Sequence, residues 1–221
     1  MNGKLVGLIQ RYFGYFIFYY TLIVNRTTTW SYSGQECLES AEDHKKMILA
    51  SWHEFYLLFL AYMHSGRGAN ISCLALGGPK GEGFSTIASG FGALIHYTSP
   101  VGDKEVNRGA IQGVIDDMRV LNRDTFIMLD GPSGPARKAK FGVSKLAADS
   151  EGVVLPVHMS INRALRLPRW DSMVIPLPFS RIHLSFGQPV VAKGKEKPAI
   201  VAAVVSAIEA CTMVSSPAAA S

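Results

Sequence analysis

Trp52-His53-Glu54 places an imidazole where a short apolar run, MILASW, gives way to an apolar helical pattern. An imidazole at such a junction can point into a cleft and titrates near neutral pH, as a general base for a hydroxyl group must. A second group begins at Asp130. The stretch Asp130-Gly131-Pro132-Ser133-Gly134-Pro135 follows the run TFIML and leads into Arg137, Lys138 and Lys140. Two glycines and two prolines in six residues set a tight, rigid turn with exposed backbone amides, and the cations that follow give it a positive field. A phosphate or a thioester carbonyl would be stabilised there. Residues 131–145 hold Arg137, Lys138, Lys140 and Lys145 and no acid, so a solvated basic face is the plain alternative. Ser133 keeps a hydrolase in view, although Pro135 stands in place of the closing glycine of a G-x-S-x-G nucleophile elbow.

A third loop, Gly77-Gly78-Pro79-Lys80-Gly81-Glu82-Gly83, also follows an apolar run. It lacks the Gly-Lys-Ser/Thr of a P-loop, and Thr86 stands where a dinucleotide fingerprint needs its last glycine. Nucleotide binding is therefore rejected, leaving Lys80 and Glu82 to line a cleft or hydrate a turn. His44, His64, His96, His158 and His183 show no metal-ligand spacing, so no metal site is expected. Cys37, Cys73 and Cys211 are scattered and odd in number, which signals neither a disulfide framework nor a zinc knuckle and fits a reducing compartment. The segment from Arg163 to Asp171, RALRLPRWD, mixes basic and aromatic residues. Its prolines argue against a nucleic-acid recognition helix, and a headgroup or acyl-carrier surface fits equally.

The elements that must position these groups recur along the chain. Short apolar runs at 47–52, 71–76, 93–98, 125–130, 153–161 and 181–187 alternate with helical patterns at Glu54 to His64, Phe84 to Phe91, Val106 to Asn122, Val143 to Asp149 and Pro198 to Val214. This alternation predicts one α/β domain with a largely parallel sheet flanked by helices, its site on loops at strand ends. Residues 25–46 read as a connection with one edge strand. A chain of 221 residues has the length for a single core, and 18% charged against 48% apolar residues excludes disorder and coiled coil.

The apolar surplus is uneven. Between Leu5 and Val24, Gln10 and Arg11 interrupt the run, and the charge-free part, Tyr12 to Val24, is too short to cross a bilayer. Its Tyr and Phe residues, with Lys4, Arg11 and Arg26, suit the headgroup boundary, so residues 1–26 are expected to form an apolar membrane-associating helix. A buried first helix is the alternative. Residues 27–215 then form the α/β domain and 216–221 a disordered tail. The net charge of +5 points to an anionic partner.

Taken together, WHEFYLL, DGPSGPARKAKFGVSKLA, the strand with VLPVHMS, and WDSMVIPLPFSRIHLSFGQPV resemble the small bacterial domain-of-unknown-function branch of the lysophospholipid acyltransferase superfamily. The resemblance spans about residues 45–192. It implies a mixed-sheet α/β, glycerolipid acyltransferase-like fold and transfer of a fatty acyl group from a coenzyme A or acyl-carrier-protein thioester to a hydroxyl of a lyso-phospholipid or lipid A type acceptor. His53 then matches the histidine of the superfamily's His-x4-Asp block and is the implied general base. Leu58 stands where that block has its aspartate, so Glu82 or Asp130 would have to supply the orienting carboxylate. Gly131, Pro132 and Ser133 match the block that shapes the acceptor pocket, with Arg137 or Lys138 as the phosphate contact. The resemblance implies no bound cofactor and no metal. It also implies membrane lipids and the acyl donor as partners in place of nucleic acid, and a location at the cytoplasmic face of a bacterial inner membrane. Two competitors remain: a Ser133-dependent thioesterase or lipid hydrolase, and a non-catalytic lipid-binding member of the same fold.

Overall fold

The computed structural model describes residues 3–44, 46–63, 70–79 and 81–214. The expected terminal tail at 216–221, His64 and Lys80 lie outside the described residues.

Six apolar runs become the strands β2 (Met47–Ser51), β3 (Ile71–Leu76), β4 (Leu94–Thr98), β5 (Asp124–Met128), β6 (Val153–Ile161) and β9 (Arg181–Phe186). The connection at 25–46 supplies the expected edge strand, β1 (Thr29–Ser33), and also a helix, α2 (Gln35–Glu42), that its polar composition did not suggest. With β10 (Val190–Val191) these strands make one sheet in the order β1-β9-β6-β2-β5-β3-β4, with β10 beside β6. Pairings among β2, β3, β4, β5 and β6 are parallel, as is β1 with β9, whereas β9 and β10 run antiparallel to β6. The sheet is thus mixed and largely parallel.

β2 sits at its centre and is buried at all five positions, as a parallel strand covered on both faces must be. Pro156 lies between the stretch of β6 paired to β10 and the stretch paired to β9, so its missing N–H costs little on that side. Helices α3 (Tyr56–Met63), α4 (Glu82–Gly90), α5 (Lys104–Val120), α6 (Gly142–Ser150) and α7 (Lys197–Val214) cover the sheet. A separate two-stranded ribbon, β7 (Ala164–Arg166) and β8 (Val174–Pro176), interrupts the chain between β6 and β9. Periodicity does not reveal it, because three-residue strands are too short to carry a period.

The first helix, α1 (Gly3–Thr27), is apolar on both faces. One face packs on α4, where a Cβ on Gly14 would come within 2.6 Å of the Gly83 carbonyl oxygen, so the two backbones touch only because position 14 is glycine. The other face exposes Leu5, Ile9, Tyr12, Phe16, Tyr19 and Ile23. No described helix is long and apolar enough to cross a membrane.

His158, on β6, is buried, with its ring edge-on to Phe55 at 5.2 Å. Burial lowers its pKa from 6.5 to about 4, opposed in part by Glu54 and reinforced by Arg137 and His183. The folded state then binds fewer protons than the unfolded chain between these values. Stability is full above about pH 6.5 and falls as pH drops toward 4, by up to about 3 kcal/mol. Urea unfolding across that range should show the loss, and His158→Phe should flatten it.

Candidate functional site

The site forms at the carboxyl end of β2. Trp52 keeps an extended backbone, and the chain then folds into a single 3₁₀ turn, His53–Phe55, before α3 begins. The carboxyl end of a central parallel strand is where open α/β sheets bind ligands. Asp130 stands just past the end of the neighbouring β5. It is 1% exposed and accepts the His53 amide on Oδ1 at 3.0 Å and the Arg137 amide on Oδ2 at 3.1 Å. Asp130 therefore ties the histidine turn to the Gly-Pro loop through backbone amides and does not hydrogen-bond the imidazole.

The imidazole takes its carboxylate from elsewhere. His53 Nδ1 lies 2.9 Å from Oδ2 of Asp171, whose side chain is fully buried while that of His53 remains 18% exposed. Asp171 belongs to the turn joining β7 to β8, and its other oxygen faces the amide of Met173 at 3.4 Å and Nε of Arg169 at 3.5 Å. A carboxylate so placed accepts the Nδ1 proton and leaves Nε2 as the basic nitrogen. The ring is fixed sideways as well, stacked on Tyr56 at 5.7 Å and tilted against Trp170 at 5.2 Å. Trp170 reaches this place across Gly134: a Cβ there would come within 2.5 Å of the indole, and φ of +61° favours glycine in any case. The Tyr56 hydroxyl is buried and unpartnered among the described residues, and burial pushes its pKa well above the usual tyrosine value. Tyr56 contributes a ring face, not a proton.

The remaining predicted residues are placed as follows. Glu82 opens α4 beside Gly7 of α1 and makes no hydrogen bond to His53; the residue of α4 that reaches toward the histidine turn is Phe84, whose ring packs on Tyr56 at 5.4 Å. Leu58 is fully buried in the core, so nothing there substitutes for the aspartate that the family pattern places at that position. Gly131 (φ +66°) turns the chain, and Pro132 and Ser133 are exposed on the loop. The Ser133 hydroxyl enters no side-chain hydrogen bond among the described residues. Lys138 is exposed and Arg137 is engaged: its Nε donates to Oε1 of Glu54 at 2.9 Å, and its Nη2 to the same oxygen. Arg166, on β7, donates to Oε2 of Glu54 at 3.1 Å. Glu54, next along from the histidine, thus holds two guanidiniums that are both more than half exposed.

These groups line a cavity of about 260 Å³ with Trp52, Glu54, Asp130, Arg137, Arg166 and Asp171 on its wall. Each of the six carboxylate oxygens of Glu54, Asp130 and Asp171 has a donor within reach in the chain. What the cavity offers a ligand is therefore the outer N–H groups of the arginines, and the His53 imidazole stands beside it on Asp171. A second histidine–carboxylate contact, His96 Nε2 to Asp117 Oδ2 at 2.7 Å, shares its oxygen with the Ser72 hydroxyl and ties α5 to the β3–β4 edge. It lines no part of this cavity. Among the described residues no group of three or more His, Cys, Asp or Glu is arranged to hold a metal.

No family model matches the sequence. The chain is 27% identical over 146 residues to an uncharacterized protein of Rickettsia prowazekii, covering 65% of this chain and 63% of that protein, so it spans less than two thirds of the relative's length. It is similar in structure to the crystal structure of the 1-acyl-sn-glycerophosphate acyltransferase PlsC from Thermotoga maritima, with a TM-score of 0.52 and 17% identity over 94% of this chain and 81% of that one. At that identity the likeness is one of fold: the chain has an acyltransferase-like α/β fold.

Glu54→Ala would leave Arg137 and Arg166 without their shared acceptor. Because both guanidiniums are largely solvated, the loss should be about 2 kcal/mol, less than for a fully buried pair. Thermal unfolding checks this, with Glu54→Gln expected to lose less.

Proposed function

We propose that the protein is an acyltransferase of the lysophospholipid acyltransferase type, in its small bacterial branch. It would move a fatty acyl group from a coenzyme A or carrier-protein thioester to a hydroxyl of a lyso-phospholipid or lipid A type acceptor. The observation that carries this reading is the contact between His53 Nδ1 and buried Asp171, beside an arginine-lined cavity, in a fold similar to that of a 1-acyl-sn-glycerophosphate acyltransferase.

Nε2 of His53 takes the acceptor's hydroxyl proton as the oxygen attacks the thioester carbonyl. The imidazolium that forms is balanced by Asp171. Collapse of the tetrahedral intermediate breaks the C–S bond, and the imidazolium proton passes to the leaving thiolate, so the enzyme ends as it began. Arg137 and Arg166 hold the acceptor's phosphate, or the oxyanion, with N–H groups that Glu54 does not use. Positioned donors of this kind contribute about 10²–10³-fold and the base a further 10²–10⁴-fold. Direct transfer is favoured over an acyl-serine route because Ser133 lies exposed without a side-chain partner among the described residues. The outer face of α1, with Lys4, Arg11 and Arg26 and no acid in the helix, supports residence at the cytoplasmic face of a bacterial inner membrane.

Purified protein given radiolabelled acyl thioester and a panel of lyso-phospholipids and lipid A precursors should form a diacylated product. His53→Ala should abolish it, and Asp171→Asn should lower kcat by about 10²-fold or more with little change in KM. Full activity in both variants, or label trapped on Ser133, would contradict the assignment.

A further inference from the structure

We infer that the segment 162–181 is a second contact with an anionic phospholipid bilayer, seating the mouth of the arginine-lined cavity beside His53 on the headgroups so that the acceptor enters from the membrane. This rests on the reading of α1 as a bilayer contact and adds a surface that α1 does not contain.

The segment is bound to the cavity at one end and to α1 at the other. At the cavity, β7 supplies Arg166 and the following turn supplies Trp170 and Asp171. At α1, the Tyr20 hydroxyl donates to the Pro176 carbonyl at 2.6 Å, and the Phe179 amide to the Thr27 hydroxyl oxygen at 3.2 Å. Tyr20 in turn stacks on Phe16, which belongs to the exposed apolar stripe of α1. Between these ends, Ser180 Oγ and the Leu177 amide both donate to the Arg163 carbonyl, so the ribbon is a braced unit. The apolar stripe is thus joined by direct contacts to the rim of the cavity.

The exposed side chains of the segment have the composition an interface requires. Phe179 is 72% exposed and Leu165 57%, while Arg163, Arg169 and Arg181 are exposed around them. The only acid from 152 to 195 is Asp171, and it is buried. An exposed surface with cations and large apolar side chains but no exposed acid matches anionic headgroups over an acyl layer. A soluble acidic partner would satisfy the arginines but leaves Phe179, and its continuity with the α1 stripe, without a role.

Flotation with vesicles of phosphatidylcholine alone and of phosphatidylcholine with a quarter phosphatidylglycerol, without any acyl donor, tests this. The double variant Arg163→Glu/Arg181→Glu should bind the anionic vesicles about tenfold or more weakly than wild type and the neutral vesicles unchanged. Phe179→Asp should weaken binding to both. All the substituted side chains are exposed, and unchanged thermal unfolding would establish that the variants fold. Hydrogen exchange on the wild type gives a second measurement: amides in 162–181 should gain protection when anionic vesicles are added. Wild-type vesicle binding by both variants, or unchanged exchange in 162–181, would overturn the inference, as would loss of affinity for an acidic acyl-carrier protein with vesicle binding intact. Turnover of a detergent-dispersed acceptor separates the two claims: it tests the acyltransferase reading without any bilayer.

Discussion

Three carboxylates, Glu54, Asp130 and Asp171, are buried around the carboxyl end of β2, and burial of a carboxylate is tolerated only when its oxygens are given donors. That requirement organises the site. Asp130 is satisfied by two backbone amides, which fixes the His53 turn against the Gly-Pro loop. Asp171 is satisfied largely by the imidazole itself, which fixes the ring. Glu54 is satisfied by two arginines from different parts of the chain, which fixes the cationic wall. Reactive geometry and polar satisfaction are here the same set of bonds.

The same constraint accounts for the detour in the chain between β6 and β9. A direct connection would pair these antiparallel strands through a short turn. Instead, residues 162–180 make the β7–β8 ribbon, return to the sheet through the Asn162–Arg181 bonds, and in between carry Arg166, Trp170 and Asp171 to the histidine. Leu58 can be a core residue because this ribbon supplies the carboxylate from outside. An acid on α3 at that position would meet a fully buried site packed with apolar side chains.

Much of the fold was legible in the residues. Continuous apolar runs bounded by Gly, Pro and polar residues gave the six main strands to within a residue or two, because a parallel sheet covered on both faces demands such runs. The polar stretch 35–42 concealed α2, whose only buried side chains are Cys37 and Ala41. At the site, His53 and the Asp130 loop were legible because tight-turn residues follow an apolar strand in the first case's neighbour and an imidazole follows one in the other. The partner of His53 was not. Asp171 lies 118 residues away, in a stretch whose arginines and tryptophan suggested an anion-binding surface. A signal was present in that Asp171 is the lone acid of a long basic segment, between Trp170 and an apolar strand. Its meaning depends on a fold-back that no local period encodes. Glu54 was passed over for a related reason: its place beside the histidine says nothing of Arg137 and Arg166, 83 and 112 residues on.

The central claim is that Asp171 sets the state of the His53 ring. Nitrogen-15 chemical shifts of the His53 imidazole, recorded at a pH where the ring is neutral in the wild type and in Asp171→Asn, measure this directly. The account predicts a proton on Nδ1 and a bare Nε2 in the wild type, with that preference lost in the variant. A wild-type ring protonated on Nε2, or one whose tautomer is the same with and without the Asp171 carboxylate, would contradict it.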